Sequence, residues 1–309
     1  KQHFIDAMNI AGHTPYKINA VIKAKIKRNI KRGAYPKDQI QGMKELVKLD
    51  SNVCYYLPVT PDYRGRFYAR GGLTTYQGVK DMRAAFDFAE LTTVDEYGLF
   101  LHIANAHGMD KVSITERIQW VRNSHMQLMT TESSTLYAER ARLAYIEYKE
   151  TGKGNIIARL DGTCSGVQIT SGLFLDKKTG DAVNVSSSSP DDQPQDLYGL
   201  VADLALKIAK KGTDKAMLTK YHRELTKKLI MILAYGAGED TLIRTLQEFL
   251  KENKERTTGA KSLYKVIMQA IESEFSAITK LNEHLQLELE LMPLTKVKFA
   301  LSDINVKIN

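Results

Sequence analysis

Arg223, Lys227, Met231 and Tyr235 recur at every fourth residue in HRELTKKLIMILAYGAGED (222–240), and Gly236 follows. Steps of four drift by only about 40° around a helix, so the spacing predicts one gently spiralling face. Two fixed cations on such a face suit the oxygens of a polyphosphate. A flexible apolar side chain further along can lie beneath a base, and a tyrosine hydroxyl at the end can meet a sugar hydroxyl. Leu225, Leu229, Ile232 and Leu233 occupy another sector and supply the buried side. The cationic row is therefore not required by the core. Taken singly, Arg223 and Lys227 read as solvated surface charges and Tyr235 as a half-buried aromatic; the complete row has the outline of a nucleotide.

Asp161 is the second candidate. The run NIIARLD (155–161) is short, apolar and bounded by glycine, which predicts a buried strand delivering Asp161 to a turn. A carboxylate there, followed by Gly162, can present its own oxygens and an adjacent backbone carbonyl to divalent cations. It can also simply cap the helix after the strand.

The elements that must position these groups alternate between helices and short strands. Thr14 and Pro15 read as the cap and first turn of a helix striped by Ile18, Ile22, Ile26 and Ile30 and ended by Gly33. Residues 39–50 read as a helix, and VCYYLPVTPDYRGRFYA (53–69) as strand, turn, strand. Thr93 with Glu96, and Ser113 with Glu116, are capping-box candidates for the next two helices. Residues 130–150, 213–235 and 262–291 are predicted helical, 186–195 a polar surface loop, and KVKFALSDINVKIN a hairpin about Ser302-Asp303. The fold class is α+β, predominantly helical.

Composition bounds the partners. A 43% apolar and 26% charged chain of 309 residues describes a globular protein of one large or two joined domains. No run approaches the roughly 18 apolar residues of a membrane span, and no targeting segment opens the chain, so a cytoplasmic protein is the expectation. Cys54 and Cys164 lack metal-ligand spacing and read as free thiols. The net charge of +8 is concentrated in one element: Lys17, Lys23, Lys25, Lys27, Arg28, Lys31, Arg32 and Lys37 follow one another with no acidic residue between them. Such a basic helix can track a phosphate backbone, sit on a membrane surface or be a solvated face. Lys1 in place of a starting methionine suggests a piece of something longer.

The row Arg-xxx-Lys-xxx-Met-xxx-Tyr-Gly resembles motif B, the fingers helix of the phage-type single-subunit RNA polymerase family. DGTCSGVQ (161–168) is similar to that family's motif A, and PDYRGRFYA (61–69) to its upstream Asp-x-Arg-Gly-Arg segment. NIAGHTPYKIN (9–19), HGMDKV (107–112), AVNV (182–185) and QDLYG (195–199) match in family order. The resemblance implies a right-hand polymerase fold with palm and fingers portions and an incomplete palm. Residues 1–80 would hold the basic helix and the Asp-x-Arg-Gly-Arg strand pair, 81–212 the palm portion with motif A, and 213–309 the fingers helix, the long helix after it and the terminal hairpin.

It further implies that Asp161, with the Gly162 carbonyl, binds metal, two Mg²⁺ ions serving nucleotidyl transfer of ribonucleotides onto an RNA 3′ end on a DNA template. Arg223 and Lys227 would contact the triphosphate of the incoming nucleotide, Lys227 would protonate the leaving pyrophosphate, and Lys228 would assist. Met231 would lie between phosphate and base, and Tyr235 would choose ribose. Tyr198 would lie by the sugar or phosphates and Lys111 on a phosphate. Arg64, Arg66 and Gly236 would contact template or hybrid. DNA polymerases that share motif B follow the motif A aspartate with tyrosine and a steric glutamate; GTCSG here leaves room for ribose.

One departure stands out: the family's His-Asp pair, motif C, has no counterpart in this chain. Asp303 in the terminal hairpin is a poor substitute, since no histidine precedes it. The resemblance thus implies a catalytic subunit or fragment that needs a partner chain or a further C-terminal part, as in heterodimeric phage enzymes. A non-catalytic nucleic-acid-binding polymerase-like subunit and a related DNA polymerase are the alternatives.

Overall fold

The structure is a computed structural model that describes residues 2–62, 65–159, 162–186, 191, 193–210, 212–291, 298–301 and 304–307, the backbone alone from 289 onward. Asp161, Arg64, Ser302, Asp303 and much of the polar loop at 186–195 lie outside the described residues. The chain divides into two compact units, Lys1–Leu160 and Asp161–Asn309.

In the first unit α1 (Gln2–His13) precedes β1 (Pro15–Ile18), α2 (Ala20–Lys31) and α3 (Lys37–Leu46). Short strands β2 (Tyr55–Tyr56), β3 (Val59–Pro61) and β4 (Phe67–Ala69) follow, then α4 (Lys80–Ala84) and β5 (Phe86–Thr93). The unit ends with α5 (Glu96–Ala106), α6 (Ile114–Asn123), α7 (His125–Thr130), α8 (Leu136–Thr151) and β6 (Lys153–Ile156). An antiparallel sheet has the order β2-β1-β5-β6, and β3 with β4 forms a separate hairpin. Tyr16, Ile22, Ile26, Met43 and Phe86 form one apolar cluster, and Phe100, Ile103, Val121 and Tyr145 another.

The basic helix begins later than its sequence suggests. Pro15–Ile18 pairs with strands on both sides, and the cap is Asn19, whose side chain accepts the Ile22 amide. Strand pairing from distant residues overrides the local Thr-Pro signal. Its cations also divide: Lys23 donates to the Leu49 carbonyl and Lys25 is buried, whereas Lys27, Arg28, Lys31 and Arg32 are exposed. Thr93 ends β5 and caps nothing; Asp95 caps α5 by accepting the Gly98 amide. The Ser113–Glu116 capping box is present in both directions.

The second unit contains α9 (Ser165–Leu173), α10 (Lys177–Ala182), α11 (Leu197–Ile208), α12 (Thr213–Leu233) and α13 (Glu239–Glu252). After a 3₁₀ turn come α14 (Ala260–Glu274), α15 (Ala277–Leu291) and the hairpin β7 (Lys298–Leu301) and β8 (Ile304–Lys307). Leu197, Val201, Leu225, Leu229, Leu246, Ile267 and Ile271 share one core. The helix expected over 262–291 is two, separated at the buried Phe275, whose backbone leaves the helical region. Helix α12 is itself broken at His222, where φ is 31° and ψ is −109°. Arg223 therefore starts a fresh helical segment. The terminal hairpin has the alternating register its sequence predicts, from Lys298 opposite Lys307 to Leu301 opposite Ile304. Among the described residues, no helix is long and apolar enough to cross a membrane.

Buried charge in the first unit is largely matched. Asp87 accepts Arg140 Nε at 2.5 Å and Asn19 Nδ2 at 2.9 Å, which ties β5 to α8 and to the cap of α2. Glu139 accepts both Nε and Nη2 of Arg142 and the Ser133 amide, and pairs with Lys25 at 3.0 Å. Burial alone would raise the Glu139 pKa, but the bonds from Arg142, Ser133 and Lys25 outweigh it and hold the carboxyl at about 2. A carboxyl held below its ordinary value of 4.5 stabilises the fold above that pH and loses the contribution as pH falls toward 2. Glu139→Gln should lower the unfolding free energy at pH 7 by about 3 kcal/mol, because it takes the carboxylate from the buried Arg142 and leaves Lys25 only the exposed Glu132. Urea titrations from pH 7 downward should show the gap to wild type narrowing below pH 4.5; a constant gap would contradict this role.

Candidate functional site

Helices α11 and α12 are joined by a polar latch. Arg223 Nε donates to Asp196 Oδ2 at 2.5 Å, and its guanidinium lies 5.1 Å from the centre of the Tyr198 ring. One turn on, the buried Thr226 hydroxyl donates to the Tyr198 carbonyl at 2.7 Å. Tyr198 itself is only 6% exposed, and burial followed by the neighbouring Cys164 thiol raises its pKa well above the usual phenol range. It underlies Arg223 and does not open to a ligand. The ion pair uses Nε, which leaves the two terminal nitrogens of Arg223 for another oxyanion.

The remaining members of the row lie further along α12. Lys227 is exposed, and no described carboxylate pairs with it. Met231 and Tyr235 are 47% and 66% exposed, large values for side chains of their type. Lys228 departs from the expected cluster: it pairs with Glu252 on α13 at 3.5 Å and lies over the Phe249 ring. A 100° step between neighbours on a helix explains the separation. The row ends where Gly236 adopts φ of +86°, a conformation that suits glycine, and Asn282 of α15 donates to the Leu233 carbonyl at 2.8 Å.

The stretch 162–168 meets the end of this helix. Tyr235 Oη and Ser165 Oγ are 3.2 Å apart. A Cβ on Gly166 would come within 2.9 Å of Ala234 Cβ, and one on Gly162 within 2.9 Å of Gln168 Oε1. Gln168 in turn donates to the Val183 carbonyl. Asn184 ties the same region together: it donates to Thr163 Oγ1 and the Gln195 carbonyl and accepts the Gln195 amide at 2.7 Å. The sequence stretches at 162–168, 182–185, 195–199 and 223–236 thus form one cross-linked cluster.

Asp196, Ser165 and Asn184 carry much of this geometry, and sequence reading assigned them no role. Their signal lay in the very stretches QDLYG, GTCSG and AVNV, where the tyrosine and the aspartate drew attention instead. Asn282 had no local signal.

Two expected residues belong to the first unit. Lys111 is an exposed side chain paired with Asp110 at 2.9 Å. Arg66 is exposed at the end of the turn between β3 and β4, which Asp62 organises by accepting the Arg66 amide while Gly65 takes φ of +77°. Among the described residues no group of three or more His, Cys, Asp or Glu is placed to hold a metal ion. Gly162 is described, whereas Asp161 and Arg64 are not.

Residues 136–293, just over half of the chain, match the DNA-dependent RNA polymerase family. T7 RNA polymerase of Escherichia phage T7 is 27% identical over 241 residues, covering 62% of this chain and 27% of that protein. The DNA-directed RNA polymerase of Enterobacteria phage T3 is 29% identical over 259 residues, covering 73% and 29% respectively. The mitochondrial DNA-directed RNA polymerase 1 of Arabidopsis thaliana is 25% identical over 296 residues, covering 82% and 30%. The chain spans under a third of the length of each of these relatives.

The contact between Gly166 and Ala234 yields a prediction. Gly166→Ala gains helix propensity of about 1 kcal/mol but drives its methyl into Ala234, for a net loss of about 1–2 kcal/mol. Ala234→Gly in the same chain should restore part of that loss. Urea unfolding of both single variants and the double variant measures the coupling; additive effects would show that the two sites do not touch.

Proposed function

The chain belongs to the phage-type DNA-dependent RNA polymerase family, and on that footing we propose that it forms the fingers and part of the palm of a DNA-directed RNA polymerase. The reaction joins ribonucleotides to an RNA 3′ end on a DNA template. The observation that carries this reading is the exposed face of α12. Lys227, Met231 and Tyr235 are open along it, Arg223 is held beside them with its terminal nitrogens uncommitted among the described residues, and Tyr235 touches the motif A residue Ser165.

In this mechanism Arg223 and Lys227 take the triphosphate oxygens, and Lys227 delivers a proton to the departing pyrophosphate. Asp196 and Tyr198 act through Arg223 by fixing its guanidinium. The Tyr235 hydroxyl meets the ribose, Met231 supports the base, and Lys111, Arg64 and Arg66 serve phosphates of nucleotide or nucleic acid. Asp161 and the Gly162 carbonyl are hard oxygen donors of the kind Mg²⁺ prefers. Bound there, such ions would activate the 3′-hydroxyl and neutralise the leaving group. Further polypeptide or a second polymerase subunit would supply the second carboxylate for them.

In primer extension with Mg²⁺ and ribonucleotides, Asp161→Ala should lower the rate by roughly a thousandfold, the several kcal/mol of metal catalysis. Lys227→Ala should cost about a hundredfold, with the defect growing on a poor leaving group. Equal extension by wild type and Asp161→Ala would overturn the assignment. So would no extension by the wild type even when a segment supplying a second metal-binding aspartate is added.

Tyr235→Phe tests sugar choice. Removal of one hydroxyl from a site built to bond it should relax ribose discrimination by about 10- to 100-fold, with little change in ribonucleotide rate. Ser165→Ala should produce a smaller shift in the same direction. An unchanged ratio of ribo- to deoxyribonucleotide incorporation in Tyr235→Phe would remove the residue from this role.

A further inference from the structure

Five non-glycine residues among those described take positive φ. Cys164, Leu175, Asn184 and Lys254 sit beside helix ends, where such a conformation opens or closes a helix. His222 alone of the five lies inside a helix. Its φ of 31° is roughly 90° from the helical value, in a region that only glycine enters freely. Nothing local explains the break, since TDKAMLTKYHRELTKKLIMIL contains neither proline nor glycine. A strained backbone of this kind persists only where the surrounding structure imposes it.

The contacts on either side show what imposes it. Before the break, Tyr221 donates to Glu255 at 2.9 Å and packs edge-on against Phe249 of α13, and Lys220 donates to Glu255 at 2.6 Å. After it, α12 answers to α11: Arg223 to Asp196, and Thr226 to the Tyr198 carbonyl. His222 Nε2 lies 2.9 Å from Asp203 Oδ1, and Asp203 follows Asp196 by about two helical turns. Two consecutive residues of α12 are thus tied to two carboxylates spaced along α11, which fixes how the segment beginning at Arg223 leaves the joint.

We propose that His222 is a positioning residue for Arg223. Its strained backbone and its bond to Asp203 set the angle between the two halves of α12, and that angle holds the Arg223 guanidinium on Asp196 and Tyr198 with its terminal nitrogens turned to a triphosphate. With a regular helical residue at 222, the second half continues along the line set by Tyr221, and the guanidinium leaves its carboxylate and ring. The role rests on the reading of Arg223 as a triphosphate contact, and adds to it a residue that touches no substrate.

Glycine and alanine at 222 separate this role from a purely structural one. In an ordinary helix interior alanine is the better replacement, whereas at a joint with positive φ glycine is. Calorimetric titration of the whole chain with ATP, at fixed Mg²⁺ and ionic strength, should show affinity about tenfold weaker in His222→Ala, the loss of one charge-assisted contact. His222→Gly should stay within about threefold of wild type, because glycine adopts the joint without strain. Asp203→Ala should weaken ATP binding about threefold, and Asp203→Asn, whose amide oxygen still accepts, should not. The Nε–H resonance of Arg223 in a proton–nitrogen NMR spectrum, identified by its absence in Arg223→Lys, reports the contact with Asp196 without any nucleotide. It should shift in His222→Ala and stay in place in His222→Gly. Either an unmoved resonance in His222→Ala, or wild-type ATP affinity in that variant where Arg223→Ala has lost affinity, would overturn the proposal. So would an alanine variant that keeps both readouts better than the glycine one. If Arg223→Ala binds ATP as tightly as wild type, the triphosphate reading fails instead, and the resonance alone decides whether His222 places the side chain. If His222→Ala does not fold, Asp203→Ala against Asp203→Asn decides by the same readouts.

Discussion

The Arg223 guanidinium, held between the Asp196 carboxylate and the Tyr198 ring, sets the geometry of the second unit's polar face. On the proposed reading Arg223 takes a phosphate, and such a cation must be fixed in place without being neutralised. A partner bonded only at Nε meets both demands, because it restrains the side chain and leaves the fork of terminal nitrogens outward. Each contribution is small: a partly exposed ion pair is worth about 1 kcal/mol or less, and a cation–ring contact about the same. The buried bond from Thr226 to the Tyr198 carbonyl adds about 1 kcal/mol. What makes them effective is that all three link α11 to α12, so the arginine cannot shift unless the two helices do. Lys228 shows the opposite arrangement, since Glu252 and Phe249 engage it against α13.

Small residues do a second job beside the cations. Of the small residues after Asp161, packing demands one. Gly166 sits where any Cβ would strike Ala234, whereas a Cβ at Gly162 would meet only the end of the Gln168 side chain, which can swing aside. Close approach of α9 to the end of α12 is what brings Ser165 to Tyr235. A glycine at 166 is thus what lets the two stretches meet.

The exposure of the α12 face was legible in the sequence because Leu225, Leu229 and Leu233 mark the buried side of the helix and leave Lys227, Met231 and Tyr235 on another. The Ser113–Glu116 box was legible because its bonds span three residues. Features that depend on distant partners were not. The start of α2 is decided by pairing of Pro15–Ile18 with β2 and β5, and the break at His222 accompanies a bond to Asp203 on another helix. Tyr198 was read as a ligand contact because nothing in QDLYG reveals that its ring is buried beneath an arginine that follows it at some distance in the chain. Helix α13 had a readable stripe in Leu242, Leu246, Phe249 and Leu250, and was passed over beside the stronger motif.

Exposure orders the cations of this chain by what each can tolerate. Lys227 is exposed and has no carboxylate partner among the described residues, an arrangement that costs little in water. Arg223 is partly buried and is given one carboxylate, enough to offset desolvation and too little to use up its donors. Lys25 and Arg142 are nearly dry and share the fully buried Glu139, which leaves them no capacity for a ligand. Their place in the basic or arginine-rich stretches of the sequence therefore says nothing about binding, and burial decides it.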